Sequence, residues 1–211
     1  MSWKNDQVSE GETRKILELA ERCLEVEGDF VEFGCYKGDT SLLLADLLVE
    51  KSVEKSEERL CESSGKGVEK SVGGKDKKRL CIYDSFEGLP EKGPQDESVM
   101  GGSFKGGELA VTKREVKQRF LKAGLPVPVI KKAWFADLTE VDLPEKIAFA
   151  FLDGDFYESI RDSLRLVAPR MSEGGVIVVH DYTNPALPGV KRAVDEWRNL
   201  VADEKMLLML L

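Results

Sequence analysis

Five acidic or imidazole side chains stand at the ends of short apolar runs and are of types that can do chemistry. They are Glu32, Asp84, Asp153, His180 and Asp181. The carboxyl ends of parallel strands meet at one edge of a sheet, so Asp153, His180 and Asp181 are expected to converge there. Two carboxylates around a small gap repel each other and are stabilised by a bound cation. The group therefore predicts a divalent cation site, in which the cation lowers the pKa of a substrate hydroxyl.

His180 offers a second chemistry, because it is the only histidine in the chain. An imidazole titrates near neutral pH, at about 6.5, and could itself remove the proton of a hydroxyl. Asp153 and His180 are therefore the predicted catalytic residues. Capping of loops is the alternative for the aspartates. Asp155 is expected either to cap a helix or to contact the cation ligands without binding the cation itself. Trp134 is expected to be a packing residue.

The stretch from Gly28 to Ser41 has the order strand, glycine turn and helix, which is typical of the nucleotide-binding edge of an open α/β sheet. Gly34 and Gly38 let the backbone approach a ligand, because neither carries a Cβ. Glu32 would repel a pyrophosphate at this edge and attract an amino group. The stretch therefore favours a ligand with a cationic head over a dinucleotide.

Strands and helices alternate along the chain, which predicts an α/β fold with a doubly wound, mostly parallel sheet. Asp84 then stands at the end of the second strand, where such folds hold a ribose. Strands are predicted at 29–33, 79–83, 127–132, 147–152, 176–179 and 205–211. Helices are predicted at 9–27, from 39 onward, at 112–123, after Ser159 to about residue 167, and at 188–197. The helix that begins at 39 is predicted to have the apolar face Leu42, Leu43, Leu47 and Leu48.

Length and composition describe a globular protein of ordinary domain size. The 211 residues are 42% apolar and 33% charged. The net charge of −8 argues against a nucleic-acid-binding protein that neutralises phosphates. The four cysteines are widely spaced, which predicts reduced thiols. No apolar run reaches the roughly 20 residues that span a bilayer, and the first residues are polar, so the sequence predicts a cytoplasmic protein without membrane attachment.

Two segments depart from the strand–helix alternation. Residues 50–78 hold fifteen charged side chains among 29, which predicts a low-complexity, charged insertion on the surface, with its first part extending the preceding helix. Residues 91–108 hold five glycines and little apolar content, as expected either of a mobile cover over an active site or of a plain loop. The chain 1–211 is predicted to form a single domain that includes both segments.

Several motifs, in this order, resemble the macrocin O-methyltransferase (TylF-like) family over about 29–198, apart from the insertion. The runs beginning at Asp84 and Asp153 are the most specific. The motifs are Val31-Glu32-Phe33-Gly34 with Gly38 and Ser41, Asp84-Ser85-Phe86-Glu87-Gly88-Leu89-Pro90, Leu152-Asp153-Gly154-Asp155 with Tyr157-Glu158-Ser159, Gly174-Gly175, His180-Asp181-Tyr182, and Pro188-Gly189-Val190.

The resemblance implies a class I methyltransferase of Rossmann-like fold that transfers a methyl group from S-adenosyl-L-methionine to a hydroxyl of a small molecule, such as a sugar or a glycosylated secondary metabolite. It also implies a divalent cation, usually Mg²⁺, held by Asp153, His180 and Asp181. The cofactor-binding residues that it implies are Glu32, Gly34, Tyr36, Gly38, Thr40, Ser41, Asp84, Ser85, Phe86, Asp137 and Asp153. If the parent fold closes with a further hairpin strand, that strand is missing here.

The chain departs from the family pattern at His180, where members of the family commonly have an acid. Mg²⁺ prefers oxygen ligands, whereas an imidazole suits transition metals better. Two other functions compete with methyl transfer. A nicotinamide-dependent oxidoreductase could use the same sheet, although Glu32 and the absence of a GxGxxG spacing argue against it. The second competing function is that of a binding protein that keeps the fold but catalyses no reaction. The sequence also leaves open whether the protein forms a homodimer.

Overall fold

The computed structural model describes residues 7–63, 78–100, 104–200 and 206–211. Their strands form one six-stranded sheet in the order β3-β2-β1-β4-β5-β6, and every neighbouring pair is parallel. This confirms the predicted doubly wound α/β class. The strands are β1 Asp29–Phe33, β2 Leu80–Asp84, β3 Val129–Lys132, β4 Ile147–Leu152, β5 Met171–Val179 and β6 Leu207–Leu210.

Helices connect the strands on both faces of the sheet. They are α1 Glu10–Arg22, α2 Asp39–Ser63, α3 Lys113–Ala123, α4 Tyr157–Val167 and α5 Pro188–Leu200. The side chains of Ser9 and Thr112 cap α1 and α3 in reciprocal capping boxes, and Gly124 ends α3 in the left-handed conformation. Within the described ranges, no helix has both the length and the apolar character needed to cross a bilayer.

Several boundaries differ from the sequence-based expectations. Helix α1 ends at Arg22 rather than at residue 27, because Cys23 already has the conformation of a C-cap. Strand β5 begins at Met171, five residues early, because Met171 already pairs with Ile147; the register then shifts before Val176, and Gly174, with a φ of 78°, lies in the irregular part. Helix α2 continues through Ser63, while residues 64–77 of the predicted insertion lie outside the described part of the chain.

The predicted apolar face of α2 is partly wrong. Leu42 is buried as expected, but Leu44 and Ala45 are buried in place of Leu43, which is only half-buried. The helix contacts both α1 and β2. The helix is therefore covered on two sides. Its buried face is rotated and is wider than the apolar stripe of a helix that packs against the core on one side only.

The hydrophobic core lies in two layers, one on each face of the sheet. Side chains alternate between the layers along the strands, as the period of two requires, except in β4, where a register shift puts both Ala148 and Phe149 in one layer. In β1, Val31 and Phe33 belong to one layer and Phe30 to the other. All six residues of β4 are buried, which agrees with a parallel strand covered on both faces.

Strand register brings the predicted site residues to one edge. Phe33 pairs with Leu152, and Leu152 pairs with Val179, so these three last residues of β1, β4 and β5 stand side by side. The chain continues beyond them through Gly34, Asp153 and His180. Residues that are far apart in the sequence are therefore neighbours at the carboxyl edge of the sheet.

The segment 91–108 is anchored by a buried carboxylate. Asp96 is 2% exposed, and its Oδ1 accepts a hydrogen bond of 2.7 Å from the backbone N–H of Tyr157, at the start of α4. Its Oδ2 accepts a bond of 3.1 Å from the N–H of Gly93. A Cβ on Gly189, in the first turn of α5, would lie 1.8 Å from Asp96 Oδ1. Asp96 therefore fastens the segment to the starts of two helices.

Replacing Asp96 with alanine should lower the free energy of unfolding by about 1–3 kcal/mol, because a buried N–H at the start of α4 loses its acceptor. Urea denaturation followed by circular dichroism measures the change. Glu97 is the matched control, since it is adjacent but exposed, and its alanine variant should stay within about 0.5 kcal/mol of the parent. Equal effects at the two positions would contradict the anchoring role.

Candidate active site

A cavity of about 200 Å³ opens at the carboxyl edge of the sheet. It receives residues that follow β1, β2, β4 and β5, as expected for an open α/β sheet. The predicted site residues on its wall are Glu32, Gly34, Tyr36, Thr40, Asp84, Ser85, Asp153, His180 and Asp181. The sequence therefore identified the wall of one real cavity.

Four residues predicted to bind the cofactor are not on the wall of this cavity as the described residues form it. Ser41 is fully buried and donates a hydrogen bond to Glu32, so it supports a wall residue from behind. Gly38 forms the turn into α2 with a φ of 81°. Phe86 is buried beside Asp84, and Asp137 is exposed.

The cavity also has aromatic and polar wall residues that the sequence reasoning missed. Trp134 was expected only to pack, yet it lines the cavity together with Phe135, beyond the end of β3. Asn184, which follows β5, is on the wall as well. Trp134 and Phe135 directly follow a predicted strand, and this position could have indicated that they line the site. Nothing in the local sequence of Asn184 indicated such a role.

Backbone strain is concentrated at the cavity. Among the described residues, six that are not glycine have a positive φ. Five of them line the cavity: Tyr36, Phe104, Leu109, Asp155 and Asp181. Such conformations cost about 1–3 kcal/mol each and tend to cluster where binding or catalysis requires them.

Glu32 is 1% exposed at the end of β1. Its carboxyl group accepts a hydrogen bond from the hydroxyl of Ser41. Burial raises the pKa of Glu32 to about 8, and the nearby carboxylate of Asp153 raises it as well, while the bond from Ser41 acts in the opposite direction. The charge of this wall residue therefore depends strongly on what occupies the cavity.

Asp84 is held by backbone N–H groups at the end of β2. Its Oδ2 accepts a bond of 2.8 Å from the N–H of Cys35, and its Oδ1 accepts one of 2.7 Å from the N–H of Phe86. Oδ2 also accepts a longer bond of 3.4 Å from the N–H of Tyr36, whereas Oδ1 keeps a second lone pair. The carboxylate is thus fixed in position and can still accept hydrogen bonds from hydroxyls in the cavity.

Asp153, His180 and Asp181 meet at the other end of the cavity, as the sequence predicted for strand ends. The Nδ1 atom of His180 lies 3.1 Å from Asp153 Oδ1 and 3.1 Å from Asp181 Oδ2. One ligand atom from each residue lies within 4.8 Å of the others. The arrangement offers two carboxylate oxygens and one imidazole nitrogen to a single point.

The charge state of His180 follows from its neighbours. Burial disfavours the charged imidazole, but the carboxylates of Asp153 and Asp181 outweigh this effect and raise the pKa of His180 to about 11. Burial likewise disfavours the charged carboxylate of Asp181, but the contact with His180 prevails and lowers the pKa of Asp181. A protonated imidazole cannot accept a proton, so Asp153 is the better placed of the two predicted catalytic residues for that role.

Asp155 does not cap α4, which was one of the two roles expected for it. The N-cap is Phe156, which makes no capping bond through its side chain, and the N–H of Tyr157 is satisfied by Asp96 instead. Asp155 has a φ of 63° and lines the cavity. Burial, followed by the carboxylates of Asp153 and Asp181, raises its pKa well above the ordinary value.

Known proteins are similar to this chain in sequence and in fold. The chain is 29% identical over 195 residues to the 8-demethyl-8-(2,3-dimethoxy-alpha-L-rhamnosyl)-tetracenomycin-C 4'-O-methyltransferase of Streptomyces olivaceus, over 87% of this chain and 65% of that protein. It is 29% identical over 203 residues to the demethyldecarbamoylnovobiocin O-methyltransferase of Streptomyces niveus, over 90% of this chain and 68% of that protein. The chain thus spans about two thirds of the length of these relatives.

Solved structures of methyltransferases are also similar to this chain. The fold is similar to that of the O-methyltransferase NovP, with a TM-score of 0.69 and 28% identity, over 91% of this chain and 73% of NovP. The calicheamicin methyltransferase CalS11 has the same fold, with a TM-score of 0.62 and 19% identity, over 90% of this chain and 72% of CalS11. The family model of macrocin O-methyltransferase (TylF) matches residues 65–207. The chain therefore belongs to the macrocin O-methyltransferase family.

Proposed function

We propose that this protein transfers a methyl group from S-adenosyl-L-methionine to a hydroxyl of a glycosylated small molecule. The observation that carries the proposal is a single cavity with an acidic cofactor end, at Glu32 and Asp84, and a cluster of Asp153, His180 and Asp181 at the other. The names of the relatives support the substrate class, since one is a 4'-O-methyltransferase of a rhamnosyl-tetracenomycin and another is a demethyldecarbamoylnovobiocin O-methyltransferase.

The cofactor end has the chemistry that S-adenosyl-L-methionine requires. A carboxylate at Glu32 attracts the ammonium group of the methionine part, and Asp84 can accept hydrogen bonds from the two ribose hydroxyls. The aromatic rings of Trp134 and Phe135 offer flat apolar surface to an adenine. When bound, this cofactor supplies an electrophilic methyl group on a positively charged sulfur.

The acidic cluster fits a divalent cation. Two ligands at right angles on an octahedral ion, with bonds of about 2.1 Å, are about 3.0 Å apart. His180 Nδ1 lies 3.1 Å from Asp153 Oδ1 and 3.1 Å from Asp181 Oδ2, which agrees with this spacing. A cation at this point would lower the pKa of a substrate hydroxyl and position its oxygen.

Asp153 is the residue to which we assign the substrate's proton, on its carboxylate oxygen Oδ2, because Oδ1 is the oxygen directed at His180 and the cation. It stands at the end of β4, next to Gly34 of the cofactor end, and its carboxylate faces the cavity. The hydroxyl proton passes to this carboxylate while the new carbon–oxygen bond forms and the carbon–sulfur bond breaks. Because the cofactor end and the cluster are fixed on adjacent strands, the two reactants are held in line.

Titration calorimetry with S-adenosylhomocysteine and with NADH tests the cofactor class. At pH 8.5, where Glu32 is largely ionised, we expect micromolar binding of S-adenosylhomocysteine and no binding of NADH, because the carboxylate of Glu32 would repel a pyrophosphate. Binding of NADH alone would favour the oxidoreductase instead. Transfer of a labelled methyl group to rhamnosylated acceptors then separates an enzyme from a non-catalytic protein of the same fold.

The affinity for S-adenosyl-L-methionine should rise as pH increases from 6 to 8. Glu32, with its pKa of about 8 in the free protein, must lose its proton to pair with the ammonium group, which keeps its charge below about pH 8. Up to one proton is therefore released on binding, and affinity rises by at most about tenfold per pH unit. Calorimetry at pH 6.5 in two buffers of different ionisation enthalpy measures the proton release.

Glu32→Gln is the matched variant for this measurement, because glutamine keeps the shape of the side chain and cannot titrate. It should bind the cofactor more weakly and release almost no proton. Undiminished proton release in Glu32→Gln would contradict the assignment. The cytoplasmic location, the homodimer, the absence of nucleic-acid binding and the single-domain organisation stay predictions.

A further inference from the structure

Two atoms of the Asp153–His180–Asp181 cluster that do not face its centre have neighbours of their own. Asp181 Oδ1 accepts a hydrogen bond of 2.9 Å from the side-chain amide of Asn184, which leaves Oδ2 directed at His180 Nδ1. The other ring nitrogen of His180, Nε2, lies 3.8 Å from Glu12 Oε1. Glu12 thus brings a fourth side chain to the cluster, from α1, which no motif of the sequence indicated.

The position of Glu12 is itself fixed by the capping box of α1. Glu12 Oε2 accepts hydrogen bonds of 2.6 Å from the Ser9 hydroxyl and 3.0 Å from the Ser9 N–H. Its Oε1 is the oxygen that faces His180. The helix cap therefore orients one carboxylate oxygen toward the imidazole, and His180 is buried, with 5% of its surface exposed.

This is the arrangement of a histidine that binds a metal. Such a histidine usually directs its second ring N–H to a carboxylate, which selects the tautomer and orients the ring. Here Glu12 Oε1 lies within ion-pair distance of Nε2, at 3.8 Å, and favours a proton on that nitrogen, while Nδ1 is the nitrogen directed at the two aspartates. A metal ion then takes the place of a proton on Nδ1.

Building on the proposed function, we propose that the cluster binds a divalent transition-metal ion with His180 Nδ1 as a direct ligand and Glu12 as its positioning residue, and that it prefers this ion to Mg²⁺. An imidazole nitrogen is a favourable ligand for first-row transition metals, whereas Mg²⁺ selects oxygen. The two aspartates bind either kind of ion, so the imidazole decides the preference.

Mn²⁺ binding, followed by electron paramagnetic resonance, tests the proposal without any turnover. We expect Mn²⁺ bound to the full chain to show nitrogen hyperfine coupling from a directly bound imidazole. In His180→Asp this coupling should vanish, and the Mg²⁺ concentration needed to displace Mn²⁺ should fall at least about tenfold. Absence of Mn²⁺ binding, or binding without nitrogen coupling in the parent protein, would overturn the proposal.

Glu12→Gln tests the positioning role and avoids loss of the helix cap, because glutamine also completes a capping box. It should weaken Mn²⁺ binding by about tenfold while the nitrogen coupling persists. Glu10→Gln, an exposed position on the same helix, should leave Mn²⁺ affinity unchanged. Equal affinities of the Glu12 and Glu10 variants would refute a positioning role.

These measurements are independent of methyl transfer. A protein that binds Mn²⁺ through His180 but transfers no methyl group would disprove the proposed function and keep the metal assignment. A protein that transfers methyl groups without binding Mn²⁺ would keep the proposed function and disprove the metal assignment.

Discussion

Asp153→Asn is expected to lower the rate of methyl transfer by about 10³, the contribution typical of a positioned proton acceptor. Asparagine keeps the size of the side chain and one acceptor oxygen, but it replaces the other oxygen with an NH2 donor and cannot take up the substrate's proton. The contact of 3.1 Å between Asp153 Oδ1 and His180 Nδ1 would also lose its charge. Single-turnover kinetics at saturating cofactor measure the chemical step separately from product release.

The same variant should bind S-adenosylhomocysteine with an affinity within about tenfold of the parent, because Glu32 and Asp84 hold the cofactor end. Asp137→Asn is the control. The sequence placed Asp137 near the adenine, whereas the structure leaves it exposed and away from the cavity, so its rate and affinity should equal those of the parent. A rate for Asp153→Asn within threefold of the parent would remove Asp153 from the mechanism.

Gly34→Ala should destabilise the fold by about 3 kcal/mol or more and abolish cofactor binding. A Cβ at this position would lie 2.1 Å from the carbonyl oxygen of Asp153, a backbone atom of the neighbouring strand. The φ of 85° adds strain for any residue with a Cβ. The clash cannot be relieved by a rotamer change, so β1 and β4 would have to separate. Urea denaturation monitored by tryptophan fluorescence measures the loss.

Gly11→Ala gives the matched comparison in the same protein. Gly11 lies in α1, and a Cβ there would meet nothing within 4 Å. Alanine is the better helix former, so this variant should gain about 0.5–1 kcal/mol. A loss of stability at Gly34 no larger than the effect at Gly11 would mean that the close approach of β1 and β4 is not required.

Local patterns were sufficient for most secondary-structure elements. The apolar runs of β1 and β4 were predicted with their observed limits, because a parallel strand buried on both faces is continuous in sequence. The limits of α3 were predicted to within one residue, since the caps Thr112 and Gly124 act on neighbours a few residues away. Errors occurred where burial depends on two partners, as in the face of α2.

The amino-acid sequence by itself determined the class of the fold, the family and the acidic residues at the strand ends. These depend on short-range periodicity and on the rule that parallel strands end at one edge. Only the tertiary structure decided which atoms face the cluster. Glu12 reaches His180 because α1 lies against the sheet, and Asp96 caps α4 because a loop 61 residues upstream returns to it. Such contacts join residues distant in sequence, so their partners are chosen by packing.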